Sequence, residues 1–199
     1  MLNDPSEIIR LATDFPHFVK TIEELTPGQV CPPLHLEIAR ALVAGHDFIA
    51  INGFRGAAKS FITALWCCWH IWLNPSIEIR MASGDRARVK QFNLSVATTL
   101  QTVPFLQHLS PLKPGAKPLL GESWYVPNCK RSEFPTFTAC VSKSNFRGPR
   151  CGILVLDDAL PSNMKFAPTY QERLHENLQD IPRMLHPAGA GQVFLRHGL

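Results

Sequence analysis

The chain has 199 residues, a formal net charge of +4 and 45% hydrophobic residues. This length predicts one ordinary domain with room for a small appendage, and this hydrophobic content is sufficient for a core. The mildly basic balance is compatible with a nucleic-acid partner but too weak to indicate one. The N-terminus is polar and shows no secretory signal, and the longest apolar stretch, residues 61–73, is too short to span a bilayer. We therefore expect a reducing, intracellular setting without a membrane partner.

The predicted elements alternate between helices and strands. In chain order we expect one or two helices from residue 5 to about 25 with a break near Pro16, a helix at 34–43, a strand at 48–51, a helix at 60–73, a strand at 77–82, a helix from 86 to about 100, strands at 137–141 and 152–156, a helix near 169–179 and a strand at 192–195. Residues 110–130 are rich in Pro, Gly and Lys and are interpreted as a surface excursion. The alternation predicts an α/β fold with a mostly parallel sheet.

The cysteines and tryptophans have simple expected roles. The six cysteines form no C-x-x-C pair and no paired zinc spacing. Cys67 and Cys68 fall inside the apolar helix and are expected to be small buried hydrophobes. Trp66, Trp69 and Trp72 could form a stacking face, but their spacing in that helix favours core packing.

The strongest motif is a loop between the first predicted strand and the apolar helix. Residues 53–60, Gly-Phe-Arg-Gly-Ala-Ala-Lys-Ser, match G-x-x-x-x-G-K-[ST] as a phosphate-binding loop, with Ala58 where the last glycine is expected. Backbone N–H groups would hold the β-phosphate of ATP, Lys59 would bridge the β- and γ-phosphates, and Ser60 would coordinate Mg²⁺. The nucleotide-binding residues predicted from this pattern are Gly53, Gly56, Ala57, Ala58, Lys59 and Ser60. An ordinary glycine turn that carries a lysine is the alternative.

A pair of acids follows the apolar strand 153–156. Asp157 would bind the metal and Asp158 would orient and activate the attacking water. Acids after a strand can also cap the next helix. Together with the loop, however, the pair predicts a nucleoside-triphosphate site that favours hydrolysis.

With these residues together, the chain resembles the N-terminal ATPase domain of the large terminase subunit of tailed bacteriophages, most closely the short-tailed podovirus type. The resemblance runs through residues 28–195, in the segments FRGAAKSFIT at 54–63, IRMASGDRA at 79–87, PFL at 104–106, RGPR at 147–150 and DDALPSN at 157–163. An arginine inside the loop with small residues before the lysine is characteristic of that family. The resemblance implies a P-loop NTPase fold with its central sheet flanked by helices.

Further site residues are implied by the resemblance. Arg55 would contact the phosphates in cis, with a salt bridge to a sheet-end acid as its alternative. Arg147 is the candidate arginine finger for a neighbouring subunit, Arg150 is the second choice, and either could be a structural ion pair. His35 lies where the family contacts adenine, although a surface histidine without a role is an alternative. Ser83 matches the end of the second strand near ATP, and we interpret it as a helix cap. Basic residues could contact DNA phosphates, with a solvated loop as the default: Lys113, Lys117, Lys130 and Arg131.

The expected function is that of a motor ATPase, which uses ATP and Mg²⁺ to drive double-stranded DNA into a procapsid. The resemblance also implies a homo-oligomeric ring, a portal and a small terminase subunit as partners, and action in the cytoplasm of the infected host. We expect an N-terminal helical segment at 1–27 and an ATPase domain at 28–199 that ends before the coupling motif, with no nuclease domain. The alternatives are a truncated remnant that binds nucleotide without hydrolysis, as an assembly module, and another DNA-dependent ATPase.

Overall fold

The computed structural model describes residues 4–112, 123–127, 134–141, 151–158, 172 and 185, and the backbone of 192–196. The helices are α1 (Pro5–Thr13), α2 (Phe15–Glu23), α3 (Pro33–Leu42), α4 (Lys59–Leu73) and α5 (Arg86–Thr102), with a short 3-10 helix at Gln107–Leu109. The strands are β1 (Phe48–Ala50), β2 (Ile79–Ser83), β3 (Ser123–Trp124), β4 (Phe137–Val141), β5 (Ile153–Asp157) and β6 (Gln192–Arg196).

The strands form one mixed sheet in the order β1-β6-β5-β2-β4-β3. Neighbours from β1 to β4 in this order are parallel, and β3 pairs antiparallel with β4. The predicted α/β class is therefore confirmed. Because parallel strands end at the same edge, the carboxyl ends of β1, β2 and β5 lie together, and this edge carries the predicted loop and the acids.

Local sequence signals explain where most helices begin. Asp4, Asp14 and Asp85 precede α1, α2 and α5, and each side chain accepts a hydrogen bond from a backbone N–H of the first turn. The break before α2 lies at Asp14 because Pro16 is accommodated in the first helical turn, where no N–H partner is lost. Glu7, in the first turn of α1, contacts His17 Nε2 at 2.7 Å.

The core forms around α4, which is apolar on all sides and packs against α2, α3 and α5. Trp66, Cys67 and Cys68 are fully buried, as predicted. Trp69 packs on Phe15, and its Nε1 donates to the carbonyl oxygen of Leu11 at 2.9 Å. Trp69 and Trp72 therefore join α4 to the N-terminal helices, and the three tryptophans form no exposed stacking face. No helix in the described ranges is both long enough and apolar enough to cross a membrane.

The expectation of a surface excursion at 110–130 is wrong for Trp124 and Val126, which are buried. Trp124 in β3 is buried, stacks on Phe137 with ring centroids 5.2 Å apart, and donates from Nε1 to Asn93 Oδ1 at 2.6 Å. Val126 is buried as well. Proline and glycine content predicts where a chain turns, but it does not predict that apolar residues in the same stretch pack into the core.

Candidate functional site

The loop after β1 forms hydrogen bonds, through its backbone carbonyl oxygens, with the side chain of the buried lysine that follows it. Lys59 is only 2% exposed, and its Nζ donates to the carbonyl oxygens of Gly53 at 2.6 Å and Phe54 at 2.8 Å. Gly56 has φ 93° and Ala58 has φ 54°, so the loop passes through the left-handed region twice. A residue with a Cβ is strained there, which is why glycine is expected at the position of Ala58.

The N-terminus of α4 differs from the aspartate-capped starts of α1, α2 and α5. Ala58 is its N-cap and makes no side-chain hydrogen bond, and the first turn contains no acidic residue. The first N–H groups of a helix have no partner inside the helix, and the helix dipole makes that end partly positive. An uncapped start beside the Lys59 ammonium can therefore bind an anion such as a phosphate group.

The acids after β5 lie next to the start of α4. Ser60 Oγ donates to Asp157 Oδ2 at 3.0 Å, across a separation of 97 residues in the sequence. Asp157 is the last residue of β5 and is 3% exposed. Hydroxyl and carboxylate oxygens are the ligands that Mg²⁺ prefers, so these two side chains fit a magnesium ion.

Asp158 leaves the strand in a left-handed conformation, with φ 45°. Its backbone carbonyl accepts from Gly84 N at 3.0 Å, and its Oδ2 forms an ion pair with Arg88 Nη1. The other carboxylate oxygen, Oδ1, is buried and has no hydrogen-bond partner in the part of the chain that the structure describes. A buried oxygen without a donor is costly, so Oδ1 is suited to accept a proton or a hydrogen bond from a bound molecule.

The structure brings Ser60, Asp157 and Asp158 to one edge of the sheet, with Lys59 beside Ser60 at the start of α4. Arg55 lies in the exposed turn of that loop. His35 is in the first turn of α3, where its Nδ1 contacts Glu23 Oε1 at 2.6 Å, so a base could use only its Nε2. Other predicted features lie outside the described residues: Arg147, Arg150, Lys113, Lys117, Lys130, Arg131, the segment 159–163 and, apart from Glu172, which is helical, the helix near 169–179.

Sequence reasoning missed Arg88 as a member of this site. A signal was present, because Arg86 and Arg88 stand in the first turn of α5, where a helix dipole disfavours positive charge. The cap interpretation of Ser83 is wrong, since Asp85 caps α5. Ser83 is fully buried, pairs in register with Asp157, and its Oγ has no hydrogen-bond partner among the described residues.

Comparisons with known proteins test the family resemblance of the chain. No protein-family model matches it. The chain is 26% identical over 189 residues to the protein named "Terminase, large subunit" of Enterobacteria phage T3, in an alignment that covers 94% of this chain and 32% of that protein. The resemblance to phage large terminase subunits that was predicted from the motifs is thereby confirmed.

A solved structure of another phage large terminase shares the fold of this chain. The chain is similar to the large terminase of bacteriophage HK97, with a TM-score of 0.59 and 14% identity, over 94% of this chain and 37% of that one. At this identity the similarity establishes a shared fold and says nothing about activity. The chain spans about a third of the length of these two relatives.

Proposed function

We propose that this chain is the ATP-binding and ATP-hydrolysing part of a viral DNA-packaging motor, with a P-loop NTPase fold. The observation that carries the proposal is the hydrogen bond from Ser60 Oγ to Asp157 Oδ2, which joins the glycine-containing loop to the acidic strand. A glycine turn with a lysine, the simpler interpretation of the loop, gives no reason for that contact.

In this proposal the triphosphate of ATP lies over the uncapped start of α4. The N–H groups of the first turn donate to the β-phosphate, and Lys59 exchanges its two carbonyl partners for β- and γ-phosphate oxygens. Arg55 reaches the γ-phosphate from the exposed turn and stabilises charge that develops as it leaves. His35 contacts the adenine through Nε2.

Ser60 and Asp157 would hold the Mg²⁺ ion, which supplies charge neutralisation between the phosphates. Asp158 orients the attacking water and accepts its proton, for which the unpartnered Oδ1 is available. Arg147 serves as the finger for a neighbouring subunit. The motor assignment, with double-stranded DNA, a portal, a small terminase subunit, a homo-oligomeric ring and the host cytoplasm, is supported by the similarity to the two large terminases.

A nucleotide-binding assembly module without turnover is the second candidate. The ion pair of Arg88 with Asp158 favours it, because Arg88 holds one oxygen of the carboxylate that should act on water. The two candidates differ in turnover and agree on ATP binding.

The test measures binding of a fluorescent ATP analogue and ATP turnover with and without double-stranded DNA. We expect DNA-stimulated turnover that falls at least about 100-fold in Lys59→Ala and in Asp158→Asn. Lys59→Ala removes the positive charge that stabilises the transition state, and Asp158→Asn removes the group that accepts the proton of the attacking water. Asp158→Asn should still bind the analogue. Lys90→Ala, which removes an exposed lysine from α5, is the matched control for Lys59→Ala.

Binding without turnover above the Lys59→Ala background would contradict the motor function and favour the assembly module. If the analogue does not bind, or binds equally well to Lys59→Ala, both candidates are wrong.

A further inference from the structure

A second cluster of titratable side chains lies away from the loop and the acids. Glu23 ends α2, Cys31 lies in the connection to α3, and His35 is in the first turn of α3. One nitrogen, one sulfur and one carboxylate oxygen from these residues lie within 4.8 Å of one another. His35 Nδ1 and Glu23 Oε1 are in contact at 2.6 Å.

The carboxylate of this cluster is buried and incompletely satisfied. The Glu23 side chain is 1% exposed, and its Oε2 has no hydrogen-bond partner among the described residues. The neighbouring Lys20 is exposed and lies at 4.0 Å from Glu24, so it does not serve Glu23 as a close partner. A buried carboxylate oxygen without a donor costs stability unless a cation or a donor reaches it.

We propose that Glu23, Cys31 and His35 form a Zn²⁺ site with three protein ligands and a fourth position open to water. Sulfur, imidazole nitrogen and carboxylate oxygen are all common zinc ligands, whereas the thiol and the imidazole make the site unsuitable for Mg²⁺ or Ca²⁺. Zinc–ligand distances of about 2.0–2.3 Å in a tetrahedron place ligand atoms about 3.3–3.8 Å apart, so only small movements are needed.

The site would connect the end of α2 to the start of α3 across the segment 24–32. The two prolines at 32 and 33 hold Cys31 and His35 in a defined relation, because Pro32 is the N-cap of α3 and Pro33 its first residue. Cys31 is 6% exposed, so its side chain is shielded from bulk solvent. The ion would give Glu23 Oε2 a positively charged partner, which it lacks among the described residues.

The chain contains a natural control for a histidine–carboxylate pair without a metal. His17 Nε2 and Glu7 Oε1 are 2.7 Å apart, close to the separation in the Glu23–His35 pair, and the described residues place no third ligand beside them. If the Glu23–His35 contact is only an ion pair, the two pairs should respond to metal ions alike.

The experiment uses the full 199-residue chain, stripped with a chelator and titrated with ZnCl₂ against a chromophoric competitor. We expect one tightly bound equivalent. Co²⁺ in place of Zn²⁺ should give a sulfur-to-cobalt charge-transfer band in the near ultraviolet. Cys31→Ser should abolish that band and weaken Zn²⁺ binding at least about 100-fold, and Glu23→Gln should weaken it at least about 10-fold. His17→Gln should leave both readouts unchanged.

Circular dichroism establishes that each variant is folded, and Glu23→Gln, which keeps the side-chain size, decides the matter if Cys31→Ser does not fold. The proposal is overturned if Co²⁺ binds without a sulfur band, if Zn²⁺ does not bind, or if the folded variants bind Zn²⁺ as tightly as the wild type. No readout depends on ATP, so failure here is distinct from failure of the proposed ATPase.

Discussion

Among the residues that the structure describes, two that are not glycine adopt left-handed backbone conformations, and both border the candidate site. Ala58 begins α4 and Asp158 follows β5. Such conformations cost about 1–3 kcal/mol each and persist where the surroundings hold them. At Asp158 the holding contacts are visible, namely the hydrogen bond to Gly84 and the ion pair with Arg88. Strained backbone conformations of this kind cluster at functional sites, where the direction of the backbone positions the functional groups.

Exchanging alanine and glycine in the loop should change stability in opposite directions. Ala58→Gly should raise the free energy of unfolding by about 0.5–1 kcal/mol, because relief of the left-handed strain exceeds the added freedom of the unfolded chain. Gly56→Ala should lower it by about 1–2 kcal/mol. An added Cβ there meets no atom within 4 Å, so the cost is conformational and not steric. Urea unfolding measures both, and a loss of stability in Ala58→Gly would contradict this account.

At the scale of elements, α4 contributes to both the site and the core. Its first turn carries Lys59 and Ser60, and its later turns carry the tryptophans that contact the N-terminal helices. His70 is the unusual residue of this helix. Its ring lies edge-on to Trp66 and Trp69, at centroid distances of 4.6 and 5.1 Å, and its Nε2 is buried without a hydrogen-bond partner among the described residues.

This environment predicts a pH-dependent stability. Burial lowers the pKa of His70 from 6.5 to about 4, because the charged ring is poorly solvated. The unfolded chain therefore takes up a proton as the pH falls below 6.5 while the folded chain does not, so stability is lost between pH 6.5 and about 4. The loss is at most about 3 kcal/mol.

His70→Leu should remove this part of the pH dependence. We expect the unfolding free energy of the wild type to fall relative to that of His70→Leu as the pH is lowered from about 7 to about 4.5. Urea unfolding at each pH measures this difference. His46→Leu, at an exposed histidine, is the control and should keep the wild-type profile. Parallel profiles for wild type and His70→Leu would show that the pKa of His70 does not differ between the folded and the unfolded chain, which would contradict this account.

At the scale of the whole molecule, the N-terminal helices and the sheet share one core. The buried cluster extends from Leu11 and Phe18 through α4 to Val155 in β5. Phe18 is fully buried and packs against Trp72 and Phe105, each with ring centroids 5.9 Å apart. The division at residue 27 predicted from the sequence stays a prediction, but packing across it is continuous among the described residues.

A shared core predicts a single unfolding transition. Phe18→Ala should lower the free energy of unfolding by about 3–5 kcal/mol. Tryptophan fluorescence and far-ultraviolet circular dichroism should still report one coincident midpoint. Ile9→Ala, at a position that is 63% exposed on α1, should change stability by less than about 0.5 kcal/mol. Separate midpoints for the two probes would indicate that the N-terminal helices unfold independently.

The sequence by itself was sufficient for features that depend on neighbouring residues. The apolar run of α4, the strand 137–141 and the loop 53–60 are local patterns, because side-chain periodicity and turn chemistry involve residues close in the chain. The same holds for the pair Asp157–Asp158, which a buried strand positions at its end. These patterns also predicted the resemblance to phage large terminase subunits, which the comparison with a known relative confirms.

Only the tertiary structure decided which distant residues meet. Strand order puts β6 between β1 and β5 and β2 beside β5, and from that order follow the contact of Ser60 with Asp157 and the pairing of Arg88 with Asp158. The return of Trp124 to the core and the meeting of Cys31 with Glu23 have the same origin. Strand order and helix docking depend on how all the apolar faces can be buried together, and no local pattern contains that information.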